Sequence, residues 1–323
     1  MHVLYKEEGK LGVAPSERSI EQALEHGVIC IDKPQGPSSH EVSAFVKKIL
    51  NIEKAGHTGT LDPEVSGVLP VLLNQSCKTS HFLGETSKTY ICVMLLEKAV
   101  DKKTLEKVFS KFRGKIYQTP PLISAVAKKL RIREVKQLKI LEVNGKHILF
   151  TVSSQAGFYV RNLVFDIGEI LGVKSEMLEL RRIKAGPLTE EKCVTLQELS
   201  DYYWLWKENQ HKRELVSESS PAGDAQGNEE KLRKVIIPVE DFVSLKKVIA
   251  SDDCLRPIST GADLAIPGII ALNETIQRLD RVGIFTVKGE LVAIATALRD
   301  FKEIKTLKKG IAFDIERVIC AFI

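Results

Sequence analysis

AGHTGTLDPEVSGVLPVLL, residues 55–73, is the stretch whose reading governs the rest of the chain. Gly56, Gly59 and Gly67 allow its backbone to bend tightly or to admit a ligand closely. Asp62 stands between Leu61 and Pro63. Proline disfavours the helical region for the residue before it, so the Asp62 carboxylate is expected to be displayed from an extended loop. An aspartate that caps the backbone of a local turn is the competing reading.

Toward the N-terminus, VICID (28–32) is a short apolar run closed by Lys-Pro and Gly-Pro, and reads as a strand. Ser38 and Glu41 have the spacing of a capping box, which opens a helix. Val42, Phe45, Val46, Ile49 and Leu50 then give that helix one apolar face. Toward the C-terminus, TYICVMLL (89–96) reads as a buried strand, 101–112 as a helix and HILFTVSS (147–154) as a strand. In QAGFYVRNLV (155–164) a strand ends near Gly157 and Arg161 opens a helix running to about 171. Arginine is the natural partner of a buried aspartate, because its planar fork pairs bidentately and keeps its charge. A surface arginine is the alternative. The order of elements has no regular βαβα rhythm, so an α+β domain around a large sheet is expected.

The chain has 323 residues, which suits two domains. Residues 1–27 read as an N-terminal arm, 28–206 as the larger α+β domain and 207–233, containing SESSPAGDAQGNEEK, as a polar linker. Residues 234–323 read as a small β-rich domain, since DRVGIFTVKGELVAIATA (280–297) is two alternating strands around a Lys-Gly turn. The six cysteines have no CxxC spacing and no histidine cluster, so buried reduced thiols are expected and no zinc site. No apolar run reaches membrane-spanning length, and the first residues lack signal-peptide character, so a cytoplasmic protein with no membrane partner is expected. A net charge of +5 permits nucleic-acid binding without requiring it. The local run of Lys128, Lys129, Arg131, Arg133, Lys136 and Lys139 against one acid, Glu134, points further. Such a run is either a solvated face or a track for a phosphate backbone.

At these residues the chain resembles the TruB/dyskerin family of RNA pseudouridine synthases. GHTGTLDPEVSGVLPV resembles the family signature, and DKPQGPSSHEV (32–42) its first motif. SKTY (87–90), YQTPPLISAVAKKLRIR (117–133), GFYVRNLV (157–164) and LRRIKAGPL (180–188) resemble further motifs, in family order. STGADLAIPGI (259–269), with the strand pair after it, resembles a PUA domain, an RNA-binding β-barrel. The resemblance implies a catalytic domain with a large mixed, mainly antiparallel sheet followed by that small barrel. It implies Asp62 as the catalytic carboxylate, acting as nucleophile at C1′ or alternatively deprotonating C2′, Tyr90 as the tyrosine stacked on the target base, and Arg161 as the aspartate's partner. It places Leu180, His57 and Lys33 at the substrate. RNA contacts are implied for Lys128, Lys129, Arg131 and Arg133, and for Gly261 and Ala262 in the PUA-like motif. Ser66-Gly67, Thr89 and Phe158 depart from the common family residues without removing a reactive group. No metal or organic cofactor is implied.

Within the family three readings compete. The dyskerin-like stretch at 117–133 and the PUA-like domain imply an archaeal H/ACA catalytic subunit. Its partners would be a guide RNA, a ribosomal RNA substrate, and small proteins of the Nop, Gar and kink-turn-binding types. The second reading is a stand-alone synthase acting on the T-loop uridine of tRNA. The third is a guide-RNA scaffold without catalysis, against which the presence of Asp62, Tyr90 and Arg161 argues.

Overall fold

Ser66–Leu73 is buried along almost its whole length, as a strand covered on both faces must be. The computed structural model that places it describes residues 1–84, 86–119, 129–215 and 223–320, with side chains described outside 212–215 and 223–226. Ser66–Leu73 pairs antiparallel with Gly27–Lys33 and parallel with Ser175–Ala185. The parallel pairing involves only Ser66 and Gly67, so Pro70 lies beyond it, where the missing donor is tolerated. Among the described residues these strands belong to a ten-stranded sheet. Its main path runs Ile236–Pro238, Gly27–Lys33, Ser66–Leu73, Ser175–Ala185, Lys88–Leu96, His147–Ser154, Arg131–Asn144 and Gly114–Gln118. Every other neighbouring pair on that path is antiparallel, as expected for a mixed, mainly antiparallel α+β sheet.

The helices follow their local signals. Ser38 and Glu41 form the expected reciprocal capping box, and the helix runs Ser39–Ile49. Val42, Val46 and Leu50, spaced by four, are buried. Phe45 is 45% exposed, so the apolar face is narrower than its five-residue pattern suggested. The helix Val160–Leu171 matches its expected bounds and stops at Gly172, whose φ of +66° suits glycine.

The polar stretch 207–233 differs from the linker expected of it. Helices Leu196–Leu215 and Gly223–Val235 enter it from both sides, and 216–222 lies outside the described residues. Trp206 and Leu232 from these helices are buried in one apolar cluster with Val42, Val46 and Ile236. The described polar residues of 207–211 and 227–233 are exposed or half-buried on these helices, while a few apolar side chains anchor the helices.

Among the described residues the C-terminal part forms a seven-stranded sheet around its own apolar cluster. Its first strand, His2–Val3, comes from the N-terminal arm and pairs with Ile269–Leu272. Conversely, Ile236–Pro238, read above as the start of the second domain, joins the first sheet. A further cluster joins Val28, Cys30, Val68 and Leu72 of the catalytic sheet to Phe285, Leu291, Ile294 and Ile319. The Arg18 guanidinium, 2% exposed, donates to Glu240 at 3.0 and 2.8 Å and to Glu290 at 3.3 Å. Arm, catalytic tail and C-terminal domain thus share a buried ion network, whose rupture leaves uncompensated carboxylates.

His26 lies beside that network. Burial, then the Arg18 charge and more weakly Lys78, push its imidazole down to about 4, with Glu240 opposing. The unfolded chain takes up this proton near pH 6.5 and the native chain only near 4, so stability falls as pH drops through that window. Up to about 2 kcal/mol is lost by pH 5 from this group. His26→Gln is therefore expected to narrow the difference in Tm between pH 7 and pH 5 by several degrees in thermal scans. An unchanged difference would reject this role for His26.

Candidate active site

The Asp62 loop is built by alternation. Leu61 and Val65 are buried in the core cluster of the catalytic domain, while Asp62 and Glu64 point outward with side chains 60% and 75% exposed. The Val65 N–H donates to the Asp62 carbonyl at 3.0 Å, closing a turn with Pro63 at its second position. Ser39 Oγ donates to the Leu61 carbonyl at 2.7 Å and accepts the Leu61 N–H at 2.8 Å.

Lys33 holds the same turn from inside. It is fully buried, and its ammonium donates to the carbonyls of Pro34, Pro63 and Val65 at 2.9, 3.2 and 2.9 Å. An ammonium has three protons. All three are used on the protein's own backbone, so Lys33 supports the Asp62 turn. Burial is the main influence lowering its pKa; the charges of Glu64 and Asp62 resist that shift.

Arg161 arrives from 99 residues away. Val160 and Leu163 are buried at the start of the helix, and Arg161 faces out between them. Its Nη2 lies 3.3 Å from Asp62 Oδ2 and 3.9 Å from Glu64 Oε2. Both partners are largely exposed, so the pair contributes no more than about 1 kcal/mol to stability. Its significance is directional: it fixes where the carboxylate points.

Tyr90 and Leu180 stand on adjacent antiparallel strands, with Tyr90 opposite Arg182 and Cys92 opposite Leu180. Leu180 is buried, and Tyr90 is half-buried against the same cluster as Leu61, Val65, Phe158 and Val160. Tyr90 and Leu180 therefore pack in the same core cluster as Leu61 and Val65, the residues that anchor the Asp62 turn.

His57 braces the loop. Its Nδ1 is 3.0 Å from Ser43 Oγ and its Nε2 is 3.2 Å from Thr60 Oγ1. Ser43 Oγ already donates its single proton to the Ser39 carbonyl at 3.0 Å, which assigns the proton on the ring to Nδ1. Burial, chiefly, lowers the His57 pKa and favours the neutral ring.

Three residues at the site had not been singled out as candidates. Arg182, 1% exposed, donates to the Val68 and Gly59 carbonyls at 2.6 and 2.7 Å, fixing the loop from beneath. Lys88, buried and lowered to about 8 by desolvation and then by Arg182, donates to the Gly84 and Thr86 carbonyls at 2.6 Å each. Gln118, 4% exposed, exchanges two 3.0 Å hydrogen bonds with the Tyr159 backbone, next to the helix bearing Arg161. The motif stretches contained all three, but an isolated basic or amide side chain in a strand carries no signal of which distant carbonyl it will meet. Gln118→Ala strands two backbone groups at a cost of about 1–3 kcal/mol. If the site acts as proposed below, it should also lower single-turnover rates about tenfold. Retention of the full rate would show that the Tyr159 clip does not position Arg161.

The basic run divides. Lys129 is exposed and Arg131 half-exposed, at the start of strand Arg131–Asn144. Arg133 donates to the Gly157 carbonyl at 3.3 Å, so it also shapes the Arg161 loop. Lys128 lies outside the described residues. Gly261 and Ala262 are exposed and close the helix Asp252–Ser259: Ala262 N–H reaches the Pro257 carbonyl and Gly261 N–H the Ile258 carbonyl, with Gly261 at φ +97°.

A mixed sheet with an outward carboxylate, its guanidinium and an adjoining aromatic, followed by a β-rich RNA-binding-type domain, is the layout of an RNA-modifying enzyme. The chain belongs to the TruB family of pseudouridylate synthases, which isomerise uridine within RNA: residues 47–160 match "TruB family pseudouridylate synthase (N terminal domain)". Residues 161–244 match the tRNA pseudouridylate synthase B C-terminal domain, 246–319 the PUA domain and 5–43 the DKCLD domain. The chain is 44% identical to the "Probable tRNA pseudouridine synthase B" of Archaeoglobus fulgidus, over 95% of this chain and 90% of that one. It is 48% identical to the protein of the same name in Nanoarchaeum equitans, over 96% and 84%. Among solved structures it is similar to one titled as a Cbf5-Nop10-Gar1 complex (TM-score 0.86, 42% identity, 98% of this chain and 92% of that one). It is also similar to one of an H/ACA RNP bound to a substrate RNA (TM-score 0.85, 41% identity, 98% and 92%). No helix among the described residues is long and apolar enough to cross a membrane.

Proposed function

We propose that the chain is the catalytic subunit of a guide-RNA-directed particle that converts uridine to pseudouridine in ribosomal RNA in the cytoplasm. The supporting observation is its similarity, across 98% of its length, to a chain in a Cbf5-Nop10-Gar1 complex. Its partners are then a guide RNA of the H/ACA type and small proteins of the Nop, Gar and kink-turn-binding types. In this reading residues 246–319 grip the guide, with Gly261 and Ala262 at the contact, and Lys129 and Arg131 hold flanking phosphates of the substrate.

The reaction breaks the N1–C1′ bond of a uridine, turns the base, and rejoins it through C5. The target must first leave its stack, at a cost of a few kcal/mol, and stacking on the Tyr90 ring returns about 1–3 kcal/mol of this. Leu180 lines the apolar side of the base. Asp62 acts as nucleophile at C1′, releasing the base, while Arg161 keeps the carboxylate aimed. C5 of the turned base then attacks C1′ and expels the Asp62 carboxylate, and the C5 proton leaves to a base, the role this reading gives to Tyr90.

The names of the archaeal relatives favour a second activity on tRNA, for which the T-loop uridine is our candidate target. One experiment separates the two. The purified chain is incubated with unmodified tRNA transcript, and in parallel with a matched guide, the partner proteins and a ribosomal RNA fragment. Pseudouridine chiefly in the second mixture is expected. Efficient product in the first alone would replace guide dependence with recognition of folded tRNA.

A further inference from the structure

Cys30 and Cys193 are 163 positions apart in sequence, yet their sulphurs lie 2.9 Å from each other. The backbone holds them there. Val194 N–H donates to the Cys30 carbonyl at 2.9 Å, Asp32 N–H donates to the Val194 carbonyl at 2.9 Å, and Ile31 bridges Val194 in parallel. A covalent S–S bond is about 2.05 Å long, so the side chains need close by less than about 1 Å without breaking this pairing. The two thiols differ in access. Cys30 is fully buried in the apolar cluster between the catalytic and C-terminal domains, and Cys193 is half-buried at its edge. The hydrogen-bonded partner thiol, and then burial, push the Cys30 thiol up, so Cys30 is poorly suited to attack first.

We propose that Cys30 and Cys193 are a reversible redox modification site, which closes to a disulfide by exchange with a small-molecule disulfide such as oxidised glutathione. The Cys193 thiolate attacks one sulphur of glutathione disulfide, expelling a glutathione thiolate and forming a mixed disulfide. Cys30, already in contact from the inner side, then loses its proton and attacks the Cys193 sulphur, expelling the second glutathione thiolate. Two protein thiols are oxidised, one glutathione disulfide is reduced to two glutathione thiols, and no other oxidant enters. The bridge ties strand Gly27–Lys33 to the segment after residue 190 across a loop of well over 100 residues, a length at which cross-linking constrains the unfolded chain strongly. Because the backbone is already paired, the Asp62 turn held by Lys33 at the end of the same strand keeps its place.

The test uses the full chain, incubated with oxidised glutathione near pH 8.5, quenched in acid, alkylated and mapped without reductant. The expected result is a Cys30–Cys193 cross-linked peptide, removed by dithiothreitol and absent from the Cys193→Ser variant, with unchanged turnover. A rise in Tm of at least about 4 °C over the reduced chain accompanies it. Recovery of both cysteines alkylated, or of Cys193 as a glutathione adduct with Cys30 alkylated, would overturn the proposal. A cross-link that lowers Tm would also overturn it, because the native backbone would then not accommodate the bridge.

Discussion

Asp62→Asn is expected to reduce pseudouridine formation by at least roughly 10⁴-fold in single-turnover assays with saturating protein, the scale on which removal of a nucleophile acts. The substitution keeps size and shape and removes only the charge. The Asp62 side chain is 60% exposed and its ion pair with Arg161 spans 3.3 Å between two solvated groups, so fold stability should change by no more than about 1 kcal/mol. Leu61 and Val65, which anchor the turn, and the Lys33 ammonium beneath it are untouched. RNA affinity should therefore stay within a few-fold of the parent. Normal turnover by this variant would remove Asp62 from the chemistry. A fall in binding equal to the fall in rate would instead make it a recognition residue.

Gly67→Ala is expected to destabilise the chain by more than about 3 kcal/mol. Gly67 has φ +102°, a region costly for alanine, and an added Cβ would lie 2.2 Å from the Arg182 carbonyl oxygen and 3.0 Å from two further Arg182 backbone atoms. Backbone cannot rotate aside as a side chain can. The collision falls on one of the two registered pairs that join Ser66–Leu73 to Ser175–Ala185, next to the guanidinium that fixes the Gly59 loop. A drop in Tm of about 6 °C or more is expected, with loss of activity. Gly36→Ala is the control, since Gly36 has φ +110° but open space around its missing Cβ. It should show the conformational cost alone. Equal effects at the two positions would mean that the Arg182 contact contributes nothing.

The reactive stretch was visible in the sequence because its signals are local. Pro63 restricts Asp62, the glycines permit the bend, and Ser38 with Glu41 starts the helix behind it. Strands such as His147–Ser154 and the helix Val160–Leu171 were legible for the same reason: each side chain's inside or outside preference repeats with the period of its own element. Lys33 was not legible as a buried support. A lysine after an apolar strand normally reaches water, and only the crossing of the Asp62 turn over that strand supplies the Pro63 and Val65 carbonyls that, with the neighbouring Pro34 carbonyl, make its burial possible. Gln118 and Arg182 escaped for the same reason, their partners being 41 and more than 100 residues away. The composition of 207–233 misled because a helix lying on a core with one narrow stripe can be polar nearly everywhere else.

By itself, the sequence determined strongly periodic segments such as the helices Ser39–Ile49 and Val160–Leu171 and the strand His147–Ser154, the cap at Ser38, and which reactive side chains the chain carries. It did so because propensity, capping and periodicity act over a few residues. The tertiary structure alone decided that Arg161 meets Asp62, that the N-terminal arm completes the C-terminal sheet, that Lys33 turns inward, and that two cysteines far apart in the chain touch. Those outcomes depend on how distant segments cross, and packing and burial set that geometry for the whole chain at once.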